Sequence, residues 1–154
     1  MCRVLSLALL YQPGEIMNGF KSRASTIIEI SRGSESVALE MTAPPVGYLS
    51  WLRSCYPAPQ EFINGIAKPD PAAEHEYHSL LLYCRLAAAL RPSGAIDTPE
   101  PAGTSRHAWK TYALGVRDEF RGANLSDGDV LILTRALNKL EESSTANLEA
   151  SGNS

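Results

Sequence analysis

The chain is short of several things, and each shortage removes a class of chemistry. It has three cysteines, Cys2, Cys55 and Cys84, odd in number and widely spaced. That usage offers no disulfide framework and fits thiols kept reduced in a cytoplasm. Neither sign of charge dominates: the formal net charge is -3, which gives no general attraction for nucleic acid or anionic lipid. The chain has no GxSxG elbow, no CxxC pair, no GxxxxGK[ST] loop and no GxGxxG after a strand. Each of those patterns holds a nucleophile, a redox pair or a phosphate by a specific local geometry. No internal repeat is visible, and 154 residues are enough for one domain with a real core. The expectation is a non-enzymatic protein with no cofactor and no metal.

What is present is organised around Pro71–Leu90, PAAEHEYHSLLLYCRLAAAL. Beyond its first turns it is apolar on nearly every side, so it needs cover on every side. Arg85 interrupts the apolar run, and Glu74, His75, Glu76 and His78 fill the opening turns, which makes it a poor membrane span. The reading is a central core helix over 71–91 with the rest of the domain packed around it.

Before that helix, 24–31 (ASTIIEIS) and 36–42 (SVALEMT) are strand-like runs bridged by Arg32-Gly33-Ser34-Glu35. In the second, Val37, Leu39 and Met41 fall on one face, as in a β-hairpin with one buried side. A helix over 44–56 follows, opened by Pro44-Pro45 and carrying Tyr48, Leu49, Leu52 and Tyr56 at helical spacing, with Trp51 on a neighbouring face. Residues 60–70 read as a connector with a small apolar cluster, Phe62, Ile63 and Ile66. The Pro/Gly-rich loop 92–104 is either mobile or a docking strap.

A helix capped by Ser105 places Trp109, Tyr112, Ala113, Val116 and Phe120 on one stripe. After the turn 122–125, Ser126 and Asp129 form an acidic variant of the capping box. The last helix then runs over 126–142, with Val130, Leu133, Leu137 and Leu140 on one stripe and Ile132 and Ala136 widening it. The fold class is therefore α+β, mainly α: an N-terminal hairpin on about four helices, one globular domain over 17–142, and a disordered tail over 143–154. Residues 1–16 read as a flexible arm or an extension beyond the true start. The superficially signal-like MCRVLSLALLY lacks a cleavage site, and Gly14-Glu15 can be encoded as a ribosome-binding sequence just ahead of Met17.

Two local patterns invite a sharper reading. His75 and His78 sit one helical turn apart, yet no Cys or acidic cluster of metal spacing accompanies them, so they read as a solvated first turn. Residues 105–121, 122–125 and 126–142 have the lengths of a helix-turn-helix. The would-be recognition helix presents Asp127 and Asp129 where base edges and phosphates would lie, which disfavours a DNA-binding regulator.

The order of elements is a short hairpin, the helix PPVGYLSWL, a long apolar helix and a closing pair ending NLSDGDVLILTRALNKLEES. This resembles the small tail-assembly chaperone-like proteins of long-tailed bacteriophages and prophages, over roughly residues 20–142. The resemblance implies a cytoplasmic protein in the bacterial host that binds the tape-measure protein, helps recruit tail-tube subunits and can self-associate. On the residues themselves, partner contact is expected from Tyr48, Trp51 and Tyr56 on the aromatic helix and from Val37 and Leu39 on the hairpin, with no nucleic acid or membrane partner. A small phage-encoded regulator or inhibitor of a host protein is the alternative.

Overall fold

The computed structural model describes residues 23–152, with side chains through residue 144; the expectations for residues 1–16 lie outside this range. Strands β1 (Ser25–Arg32) and β2 (Glu35–Thr42) form an antiparallel hairpin in the register Thr26–Met41, Ile28–Leu39 and Ile30–Val37. Cross-strand partners share a face, so these six side chains make the hairpin's inner surface. Ile28, Ile30 and Met41 are buried there, whereas Val37 stays half exposed.

Helix α1 runs from Tyr48 to Cys55, four residues later than Pro44 suggests. Gly47 takes a left-handed conformation and Tyr48 N–H donates to the Pro45 carbonyl, so the Pro-Pro pair opens a turn rather than the helix. Next comes an element that the connector reading missed. Strands β3 (Gln60–Ile63) and β4 (Ile66–Pro69) make a second antiparallel hairpin around Asn64-Gly65. Both turn residues have positive φ, as the two-residue hairpin turn that favours Asn-Gly demands.

Helix α2 (Pro71–Leu90) is the centre of the molecule. Asp70 caps it, accepting from the Ala72 and Ala73 N–H groups, and Pro71 sits where no N–H is needed. Tyr77, Leu80, Leu81, Cys84, Leu86, Ala87, Ala89 and Leu90 are all buried, which covers every side of its second half. The interrupting Arg85 is accommodated at the edge of the core by Glu141 at 2.6 Å and Asn138 at 3.3 Å. A 3₁₀ turn, Arg91–Ser93, ends the helix.

Helix α3 (Arg106–Gly122) lies along α2 and buries the whole stripe Trp109, Tyr112, Ala113, Val116 and Phe120. The capping box at the start of α4 (Asp127–Gly152) is reciprocal: Ser126 N–H donates to Asp129 Oδ2, and Asp129 N–H to Ser126 Oγ. Leu133, Leu137 and Leu140 are buried, but Ile132 is exposed and does not widen the stripe. The helix continues to Gly152, where the sequence reading had a disordered tail from 143. No Gly or Pro interrupts residues 141–151, and Glu, Ala and Leu among them are good helix formers. The protein is thus α+β and mainly α.

Candidate functional site

Three surface features stand out: of the sequence-expected residues, Val37 and Leu39 line the first, Tyr48 and Trp51 the second, and Tyr56 lies in the core. The first is an apolar cleft of about 210 Å³. Ile30, Val37 and Leu39 form one wall, while Leu90, Ile96, Phe120 and Leu125 form the other. Val37 and Leu39 are therefore one feature. Arg32 and Glu119 are the charged residues on its lining. Arg32 Nε is buried and has no hydrogen-bond partner among the described residues.

Glu119 is committed to the loop opposite. Its carboxylate accepts from the Asp97 N–H (2.6 Å), the Thr98 N–H (3.1 Å) and the Thr98 hydroxyl (2.6 Å). Burial by itself would raise its pKa, but these hydrogen bonds and nearby Arg91 outweigh that and hold the group below the usual carboxylate range. The same loop is tied down elsewhere: Arg91 donates to the Thr98 carbonyl, Trp109 Nε1 donates to the Gly103 carbonyl, and Ile96 is buried. Gly115 lets it lie close, since a Cβ there would meet Thr98 Cγ2 at 3.2 Å. Residues 96–103 are thus held against the body of the protein by these contacts.

The second surface is an open hollow of about 520 Å³ beside α1, lined in part by Tyr48, Trp51, Pro45, Arg91, Pro92 and Glu100. Trp51 is 46% exposed and packs edge-on against the buried Trp109 with ring centroids 5.4 Å apart. Tyr48 is half buried, its hydroxyl 3.4 Å from both the Cys84 carbonyl and Glu100 Oε1. Burial, with Glu100 alongside, pushes its phenol pKa well up. Tyr56, expected on the same binding face, is only 2% exposed. Its carbonyl accepts from the Tyr77 hydroxyl at 2.8 Å, and its ring packs against that of Tyr77. Tyr56 is a core residue, because helical spacing that joins it to Leu52 turns it inward.

The third surface is the β3–β4 arm, which sequence reasoning did not offer as a site. Every residue in both strands is exposed, with Phe62 at 74%, and among the described residues the arm's only extensive contacts are between its own strands. By register, Phe62 and Ala67 share one face, while Ile63 and Ile66 share the other with Glu61 and Lys68. The available signal was Asn64-Gly65 between two apolar pairs, a hairpin turn whose strands are too short to reach the core.

Each of the following titration shifts moves its group away from neutral pH. Burial raises Cys84 and Tyr112 to about 12, despite the hydrogen bond from Arg91 to the Tyr112 hydroxyl, while Glu119 and Asp129 are lowered. His78 pairs with Glu74 on an exposed turn at 3.5 Å. Among the described residues there is no cluster of three metal-ligating side chains, and no helix is long and apolar enough to cross a membrane. No family model, no curated protein and no solved structure matches this chain.

Proposed function

We propose that this chain is a non-enzymatic, cytoplasmic protein-binding factor: a phage tail-assembly chaperone that binds the tape-measure protein and brings tail-tube subunits to it. The observation that carries the reading is the β3–β4 arm. A lone two-stranded hairpin is marginally stable in water, and this one presents Phe62, Ile63 and Ile66 to solvent instead of to its own core. Apolar side chains held out from a folded body are the anatomy of a docking element. The arm's open strand edges offer main-chain pairing, and the Trp51 hollow offers a wall for an apolar helix face. The order of elements supplies the client class.

Affinity capture from cells carrying the source genome, read by mass spectrometry, tests this. The expected partner is a very long helix-rich protein or a tube protein, lost on Phe62→Asp and weakened on Trp51→Ser. Recovery of a host enzyme or defence protein instead would establish the inhibitor alternative. Salt-sensitive retention on DNA would favour a regulator, a role opposed by Asp127 and Asp129 at the start of α4.

A further inference from the structure

We propose that Asn64-Gly65, at the tip of the β3–β4 arm, is a self-modification site: Asn64 cyclises onto the Gly65 nitrogen and is converted to aspartate and isoaspartate. Both residues are exposed, with φ values of +53 and +76. The turn leaves the reacting groups free. Among the described residues, no hydrogen bond engages the Asn64 side chain or the Gly65 N–H. Glycine has no side chain to hinder approach to its nitrogen, and the space around Gly65 is open to 4 Å. The flanking strands are four residues long and exposed throughout, so the turn opens whenever this marginal hairpin frays.

Other asparagines make the contrast. Asn124 also has a positive φ, at 58, but the nitrogen that follows it belongs to Leu125 and donates to the Phe120 carbonyl at 3.1 Å. Asn138 lies within α4, where the backbone is fixed, and its side chain accepts from Arg85.

The reaction needs only water and hydroxide. The Gly65 nitrogen gives its proton to hydroxide and bonds to Asn64 Cγ. The Cγ–Nδ2 bond breaks, and the side-chain nitrogen takes a proton from water and leaves as ammonia, restoring the hydroxide. Water then opens the cyclic imide. Opening at the side-chain carbonyl gives aspartate; opening at the main-chain carbonyl gives isoaspartate, which routes the chain through Cβ and so adds a backbone carbon. A two-residue turn has no slack for that carbon, so isoaspartate breaks the Ile63–Ile66 pairing and the register behind it. Resting on the client reading, this gives an unoccupied arm a finite lifetime, while a client paired with the arm holds the turn closed.

Incubation of the full chain in mildly acidic and mildly alkaline buffer, followed by peptide mapping, tests the proposal. Asn18-Gly19 has the same dipeptide, so conversion is assigned residue by residue, and isoaspartate is told from aspartate by fragmentation. Residue 64 should lose its amide faster as pH rises, over an interval in which Asn124 and Asn138 stay intact. In the isoaspartate form, amides of residues 60–69 should exchange about tenfold faster or more while the core keeps its protection. Asn64→Gly retains a residue suited to positive φ, cannot cyclise, and should keep its arm through the same incubation. An Asn64 that converts no faster than Asn124 overturns the proposal. So does an isoaspartate form whose arm exchanges as slowly as the fresh protein. Neither readout involves a client, so this proposal and the client reading stand or fall separately.

Discussion

At the scale of single residues, Glu119 does the most outside the core. Three hydrogen bonds accepted by one carboxylate pin the strap across α3. Glu119→Gln should cost about 1–2 kcal/mol, less than the summed charge-assisted bonds because the site is partly solvated; urea denaturation at neutral pH measures it. The pH dependence has a definite sign. The folded-state pKa lies below its ordinary value of 4.5, so the contribution is complete above that value and is lost as pH falls through the lower, folded-state value. Glu119→Gln should therefore flatten the acid limb of the stability profile. Leu86 makes the opposite case, a fully buried aliphatic side chain on α2. Leu86→Ala should cost about 2–5 kcal/mol in the same assay, the range for a core cavity.

At the scale of elements, the helices were legible in the sequence and the arm was not. The stripe of α3 could be read because Trp109, Tyr112, Ala113, Val116 and Phe120 repeat at helical spacing and all are buried. The all-round apolar second half of α2 likewise announced a central position. The β3–β4 arm gave no such signal, since its period-two pattern covers four residues per strand and neither face is buried. Only Asn64-Gly65 marked it. Tyr56 failed for another reason: periodicity fixes which residues share a face, but not whether that face meets solvent or core. The arm's stability rests on its turn. Gly65→Ala places a Cβ at φ +76, a conformation that costs L-residues roughly 1–2 kcal/mol. Amide exchange should speed up within residues 60–69, while the global unfolding free energy changes by less than about 0.5 kcal/mol. An equal loss of global stability would mean that the arm belongs to the cooperative core.

At the scale of the whole molecule, a well-filled core around α2 leaves its outward chemistry at two ends. The hairpin and strap frame a cleft near the C-terminal end of α2, and the arm leaves from the N-terminal end. Among the described residues the arm's extensive contacts are between its own strands, and the proposed client contact rests on that. The most direct measurement is a paired affinity capture with wild type and Phe62→Asp, both checked for the same thermal unfolding midpoint. The account predicts that wild type retains a long helical or tube protein and that Phe62→Asp, equally stable, retains none. Equal capture by both proteins would contradict it, because the client would then be held by a surface other than the arm.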